Sequence, residues 1–439
     1  MRQVHITTFG CQMNEKDSQT IARIMASYDY QVTEKVEQAD LILVNTCSIR
    51  QKAEEKTYSL LGRLKQLKNS NPGLIIGVGG CVAQQEGKRL LERVPHLDLV
   101  FGTRLIHQLP DLIEKVRRER SRLSRTEMDP GEPYLNPLPA VPGFFQGVKA
   151  SVTIMQGCNN YCAYCVVPLV RGPEESRPSQ DILSEVKTLA ANGVRETLLL
   201  GQNVNSFGQN RMGEISFALL LHRLKKIPGL ERIRFTTSHP KDLSAELINC
   251  FGRIANLCEH IHLPVQSGSN RILRKMNRYY TRETYLEKIV QLREGCPGLA
   301  ITSDVIVGFP GETDADFEET MDLIRTVQYD DLFSFKYSNR PKTPASNFPD
   351  PVPEEEKSRR LNELQAYQKK VTLSKHQAME GTVQQVLVEG TSKKTTQDWM
   401  GRTRTNKIVN FPGPSDLLGK TVPVRIEKAY VHSLKGSLE

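Results

Sequence analysis

Residues 155–168 read MQGCNNYCAYCVVP, and the C-x3-C-x2-C spacing of Cys158, Cys162 and Cys165 decides how the rest of the chain is organised. The triplet follows an apolar run, Ala150 to Met155, that reads as a strand. Three thiolates on one short loop can hold three irons of a four-iron, four-sulfur cluster and leave the fourth iron open. A disulfide framework fits an odd number poorly, and a closed zinc site would want a fourth ligand. Clustering beside Tyr161 and Tyr164 is not the periodicity of cysteines that merely pack in a core.

Outward from that loop, residues 150–340 carry six strand-like runs alternating with helical patterns. They are Ala150 to Met155, Glu196 to Leu200, Arg232 to Thr236, His260 to Val265, Ala300 to Val307 and Leu332 to Tyr337. The pattern predicts a partial (β/α)6 barrel, whose chemistry gathers at the carboxyl ends of the strands. Polar residues fall at those ends: Gln202 and Asn203 in GQNVNSFG, Ser238 and His239 in TTSHP, Gln266 and Ser267 in PVQSGSN, and Ser303 and Asp304 before VGFPGET. His262 alternates with Ile261 and Leu263 and reads as a structural histidine. Arg171, Arg177, Arg271, Arg274, Lys275 and Arg278 either steer a phosphate backbone or form a solvated basic face. Cys250, Cys258 and Cys296 read as buried free thiols.

Before the barrel, residues 1–118 alternate strand-like runs (His5 to Phe9, Leu41 to Asn45, Leu74 to Val78, Leu97 to Phe101) with helical ones, the first helix capped at Asp17 or Ser18. This predicts a doubly wound α/β domain with a parallel sheet. Cys11, Cys47 and Cys81 follow the first three strands, so the carboxyl edge of the sheet gathers them. They are either three ligands of a second cluster or ordinary small hydrophobes at strand ends. GVGGC, Gly77 to Cys81, lacks the full dinucleotide fingerprint. Residues 119–149, with RRERSRLSR and then Pro130, Pro133, Pro137, Pro139 and Pro142, read as a linker. Residues 353–372 read as a charged helix closing a barrel domain of 150–372, and residues 373–439 as a small antiparallel β domain. There Lys393, Lys394, Arg402, Arg404 and Lys407 surround Trp399, the only tryptophan, which suits a nucleic-acid surface.

The Cys158 motif resembles that of the radical S-adenosylmethionine (SAM) enzymes. GCQMNEKDS (Gly10 to Ser18), NTCSIR (Asn45 to Arg50) and GGCVAQ (Gly79 to Gln84) resemble the three cysteine motifs of the methylthiotransferases among them, and the tail resembles a TRAM domain. The resemblance covers nearly the whole chain. It implies two [4Fe-4S] clusters, one on Cys158, Cys162 and Cys165 that binds and cleaves SAM, the other on Cys11, Cys47 and Cys81 carrying the sulfur to be inserted. It implies SAM contacts among Gln202, Asn203, Ser238, Gln266, Ser303 and Asp304, and RNA contacts among Lys393, Lys394, Trp399, Arg402, Arg404 and Lys407. GCQMN with this tail points to the tRNA branch, which converts N6-isopentenyladenosine at position 37 to its 2-methylthio derivative. Sister branches act on threonylcarbamoyladenosine in tRNA or on an aspartate of a ribosomal protein. An iron-sulfur electron carrier with an RNA-binding tail is the non-enzyme alternative.

The chain's 439 residues and net charge of +9 suit several domains and an anionic partner. The start, MRQVHITTFG, lacks the plan of a signal peptide and no apolar run spans a bilayer. The expectation is therefore a cytoplasmic monomer without membrane contact, acting on tRNA and served by an external electron donor such as a reductase or flavodoxin-like protein; its sulfur source is left open.

Overall fold

Leu41 to Thr46 (LILVNT) is buried at every position, as a strand covered on both faces must be. In the computed structural model, which describes residues 1–48, 51–128, 147–392 and 397–439 without the side chains of 51–53, that run is an inner strand of a six-stranded sheet. The chain packs as two units. The first holds the amino-terminal segment with Gln156–Asn159 and Val166–Glu175; the second holds Asn160–Cys165, Ser176–Glu439 and the strand that precedes the cysteine loop.

In the first unit the order is β1 (Arg2–Thr8), α1 (Gln12–Ala26), β2 (Tyr30–Val32), β3 (Leu41–Thr46), α2 (Gln51–Ser70), β4 (Ile75–Gly80), α3 (Cys81–Glu86), α4 (Lys88–Arg93), β5 (Leu99–Phe101), α5 (Leu109–Glu119) and β6 (Leu123–Arg125). The sheet runs β2-β1-β3-β4-β5-β6 and every pairing is parallel. Alternation along the strands feeds two cores. Leu41, Leu43 and Leu99 meet Ile21 and Ile24 of α1 and Leu112 of α5 on one face; Ile42, Val44 and Val78 meet Leu61 and Leu64 of α2 on the other. This is the doubly wound domain expected.

Two details differ. The run read as the start of a linker contains β6, and Arg122 beside it donates to the carbonyls of Leu97 and Val94, both at 2.9 Å. Helix α1 begins directly after Cys11, so Asp17 and Ser18 cap nothing. They lie inside the helix and are buried, Ser18 accepting from the Thr8 hydroxyl at 2.7 Å. Their polar groups serve tertiary contacts rather than free amides.

The second unit begins with β7 (Lys149–Thr153); the chain then runs through the cysteine loop, flanked by the short strands β8 (Met155–Gln156) and β9 (Glu175–Ser176), and the helix of that loop, α6 (Val167–Arg171), belongs to the first unit. In the second unit there then follow α7 (Ser179–Ala191), β10 (Glu196–Leu200), α8 (Phe217–Leu224), β11 (Arg232–Phe235), α9 (Ala245–Ile248), β12 (His260–His262), α10 (Asn270–Lys275), α11 (Arg282–Gly295), β13 (Ala300–Val307), α12 (Asp314–Val327), β14 (Asp331–Lys336) and α13 (Glu354–Gln377). Strands β7, β10 and β11 form one parallel sheet and β12, β13 and β14 another. A parallel bridge from Ile233 to Leu257 carries the first toward the second, giving the six-strand partial barrel.

The tail closes into a five-stranded barrel, β15 (Val383–Thr391), β16 (Asp398–Arg402), β17 (Ile408–Pro412), β18 (Thr421–Ala429) and β19 (Leu434–Leu438), in the order β15-β16-β17-β19-β18. All pairs are antiparallel except β17 with β19. It is fixed to the larger barrel. Arg232 donates to the carbonyls of Arg402 at 2.6 Å and Gln385 at 2.9 Å, and Arg234 to those of Arg404 at 2.7 Å and Thr403 at 2.6 Å.

Candidate active site

The turns after β1 and β3 present Cys11 and Cys47, the first residue of α3 directly after β4 is Cys81, and the structure brings these three together. Cys11 and Cys47 are in hydrogen-bonding contact, which, with amides at the start of α1, lowers the Cys11 thiol to about 6. Burial pushes the Cys81 thiol up, and a hydrogen bond from Arg171 opposes that push. The loops approach closely because glycine permits it. A Cβ on Gly10 would lie 2.7 Å from that of Cys47, and Gly80, at φ 87°, faces the backbone of Thr46. A buried amide pair locks them: Asn14 Nδ2 donates to Asn45 Oδ1 at 3.1 Å and to the Thr46 carbonyl at 3.0 Å, while Asn45 Nδ2 returns to the Asn14 carbonyl at 2.8 Å. The sequence reading missed this pair.

The sequence reads Arg171 as one of a basic group that either steers phosphate or lies on a solvated face. Instead its side chain is 3% exposed, bonded to Asp17 Oδ2 at 2.6 Å and set against the Cys11 and Cys81 thiols. Arg177 pairs with Glu185 and Arg271 with Asp316, so these three are not a free basic face.

The Cys162 to Cys165 turn is anchored by backbone and side chain. Ala163 donates to the Met276 carbonyl and accepts from the Ala345 amide, each at 2.9 Å. Asn277 donates to the Tyr161 carbonyl at 2.9 Å. Arg278 Nη1 donates to the Cys162 sulfur at 3.3 Å, and Nη2 to the Pro264 carbonyl at 2.8 Å. Cys158 belongs to the first unit, its amide donating to the Gly172 carbonyl at 3.3 Å. Among the described residues, no three His, Cys, Asp or Glu side chains are arranged to hold a single metal ion. A cluster instead distributes its thiolates over separate irons. Six thiols in two sets, each with a buried guanidinium at a sulfur, fit two such clusters.

The strand ends divide into residues with their polar atoms engaged and residues with atoms to offer. Asn203 donates to Asp242 at 2.7 Å and accepts from the His239 amide at 3.1 Å; the Ser303 hydroxyl joins the Leu263 carbonyl and the Val265 amide, each at 3.0 Å. Both hold loops in place. By contrast Ser238 Oγ and His239 Nε2 are buried without a hydrogen-bond partner among the described residues. Burial, reinforced by Arg278, Lys241 and Lys288, keeps His239 neutral far below the usual imidazole range. Thr237 beside them is held at φ 69°, and Gln266 at φ 73°, a strained setting typical of functional sites. Unpaired buried polar atoms at a barrel mouth fit a polar ligand such as SAM. Gln202 is half-buried and Asp304 faces His262 at 3.5 Å.

One strand face lay outside the sequence reading. Lys336 and Leu332 of β14 point toward α13 and the core, so Phe333 and Phe335 point the other way, into the barrel, 48% and 40% exposed. The register pairs Phe333 with Asp304 and Phe335 with Ile306, and the His262 ring meets Phe333 edge-on at 6.0 Å. His262, expected to be structural, thus sits on this inner wall, 3.0 Å from the Thr302 hydroxyl.

In the tail, Lys393 and Lys394 lie outside the described residues. Among the described residues, Arg402, Arg404 and Lys407 are engaged with partners rather than left open around Trp399. Arg404 takes both oxygens of Glu259 at 2.7 Å, Lys407 pairs with Asp330 at 3.2 Å, and Arg402 bonds Asn406. Trp399 packs against the small barrel's core with its indole N–H on the Pro414 carbonyl. These side chains are held by carboxylates of the larger barrel and by the tail itself. Cys250, Cys258 and Cys296 are buried free thiols, as expected.

The partial barrel with its C-x3-C-x2-C loop, preceded by a three-cysteine α/β domain and followed by a small β barrel, defines a radical SAM enzyme. Residues 152–324 match the Radical SAM superfamily, residues 3–102 the uncharacterized protein family UPF0004 and residues 377–438 the TRAM domain. The chain is 53% identical to the tRNA-2-methylthio-N(6)-dimethylallyladenosine synthase of Syntrophus aciditrophicus (strain SB), over 100% of this chain and 94% of that protein. It is 52% identical to the synthase of the same name from Geotalea uraniireducens (strain Rf4), over 99% and 98%. The chain belongs to the family of tRNA-2-methylthio-N(6)-dimethylallyladenosine synthases. Its fold resembles that of the radical SAM methyltransferase TsrM from Kitasatospora setae, with TM-score 0.58, 15% identity, and 79% of this chain and 74% of that one covered.

Proposed function

We propose that the chain is a radical SAM methylthiotransferase that converts N6-dimethylallyladenosine of tRNA, at position 37, to its 2-methylthio derivative. The observation that carries this reading is the meeting of Cys11, Cys47 and Cys81, from three strand ends, in a chain that also bears the Cys158 loop. Cys158, Cys162 and Cys165 hold the cluster that binds SAM, and the other three hold the second. When bound, the clusters and SAM supply the one-electron chemistry and the sulfur that an unactivated C–H bond requires, since no side-chain base removes that hydrogen at neutral pH.

The chain's own residues bind, orient and exclude water. Arg278 and Asn277 fix the cysteine turn. Ser238 and His239, with Gln202, Gln266 and Asp304, supply polar contacts to SAM, while Asn203 and Ser303 hold the loops that carry them. Phe333 and Phe335 lie against the adenine and its apolar dimethylallyl group. In the tail, Lys393, Lys394, Arg402 and Trp399 are the RNA contacts that this reading retains; Arg404 and Lys407 serve the larger barrel. No described helix is long and apolar enough to cross a membrane. A cytoplasmic monomer that takes its electron from a separate reductant completes the reading.

The test is anaerobic incubation of the iron-loaded chain with SAM, dithionite and, in parallel, tRNA bearing dimethylallyladenosine, tRNA bearing threonylcarbamoyladenosine, or ribosomal protein, followed by mass spectrometry of nucleosides and peptides. The 2-methylthio product is expected. Cleavage of SAM with modification only of threonylcarbamoyladenosine or of a ribosomal protein would transfer the chain to a sister reaction.

A further inference from the structure

Among the described residues each cysteine set has a buried guanidinium at one of its sulfurs, and the two guanidinia are held differently. Arg278, at Cys162, bonds neutral groups: the Pro264 carbonyl, and the hydroxyls of Tyr280 at 3.0 Å and Tyr164 at 3.4 Å. Arg171, at Cys81, bonds a carboxylate, Asp17 Oδ2 at 2.6 Å, whose own side chain is 8% exposed. Asp17 projects from α1, the helix that begins directly after Cys11, and Val170 of α6 packs with Val166, just before that helix, against Cys81. The ion pair is therefore built into the wall of the second cysteine set. A guanidinium alone adds a positive charge beside a cluster; a guanidinium with its carboxylate adds a dipole of no net charge. Charge and hydrogen bonds at the sulfurs set the reduction potential of an iron-sulfur cluster, and in a buried site they act with little screening.

We propose that the Asp17–Arg171 pair tunes the reduction potential of the cluster held by Cys11, Cys47 and Cys81, Arg171 raising it and Asp17 holding that rise in check. Both are positioning residues, acting through the thiolates. The proposal rests on the reading that these three cysteines hold a cluster.

The experiment uses the full chain carrying Cys158→Ala, Cys162→Ala and Cys165→Ala, which leaves one cluster of ~4 irons. Its midpoint potential is followed by electron paramagnetic resonance during a redox titration. Arg171→Gln should lower the potential, Asp17→Asn should raise it, and Arg171→Lys should restore most of the starting value, all at unchanged iron content. Equal potentials in all three, or shifts of the same sign from Arg171→Gln and Asp17→Asn, would overturn the proposal. If Arg171→Gln loses its iron, Asp17→Asn decides: a raised potential supports tuning and an unchanged one refutes it. A triple-cysteine variant that binds no iron at all would instead refute the ligand assignment.

Discussion

Arg278 Nη1 lies 3.3 Å from the sulfur of Cys162, and the same guanidinium reaches the Pro264 carbonyl just beyond β12. One buried side chain thus fixes a thiolate to the strand-end loop it must sit beside. Side chains that hold a metal's ligands in place in this way change metal affinity or activity by about 10–100-fold when removed. Arg278→Gln is expected to lower SAM cleavage within that range, with iron per chain measured alongside.

The two cysteine sets should be separable. Cys162→Ala should abolish formation of 5'-deoxyadenosine, because a two-thiolate loop does not hold the first cluster. Cys47→Ala should leave that product intact and stop methylthiolation of tRNA. Equal behaviour of two folded variants in the cleavage assay would refute the division of labour.

Phe333 and Phe335 offer aromatic faces to a base carrying an apolar substituent. Stacking of a base on an aromatic ring contributes about 1–3 kcal/mol. Phe333→Ala should therefore raise the KM for dimethylallyladenosine tRNA by roughly 5- to 150-fold, with SAM cleavage in the absence of tRNA unchanged. An unaltered KM would remove this wall from the substrate site.

Arg234 neutralises Glu196 at 3.0 Å, their side chains 4% and 1% exposed, while donating to two carbonyls of the small barrel. Removing one member of a buried pair typically costs about 3–5 kcal/mol. Arg234→Ala should lower stability by that order in denaturant titration, with Arg234→Lys recovering part of the loss.

Burial pushes Cys250 and Cys258 from 9.0 up to about 11. Between those values the unfolded chain has released these thiol protons and the folded chain has kept them, so stability falls as pH rises through the window and is fully present below about pH 9. Replacing both with alanine should flatten that decline relative to the parent chain, as read by denaturation at pH 8, 9, 10 and 11.

The doubly wound sheet, the six barrel strands and the meeting of Cys11, Cys47 and Cys81 were legible because apolar periodicity locates strands and parallel topology then puts their ends on one edge. β2 and β6 were not, being three residues each and defined by pairing rather than pattern. The basic residues misled for another reason. A buried arginine and an exposed one look alike in sequence, and the partner that distinguishes them can be remote: Arg404 and Glu259 stand 145 positions apart. The Asn14–Asn45 pair and the inward Phe333 escaped for the same reason, since only tertiary placement makes them functional.

The clasp between the two β barrels bears on how far the protein can be trimmed. Cutting the chain after α13 would strand Glu259 and Asp330 without Arg404 and Lys407, and leave the guanidinia of Arg232 and Arg234 aimed at carbonyls no longer there. A shortened fragment would thus lose solubility and catalysis together, and its failure to modify tRNA would say nothing about RNA affinity.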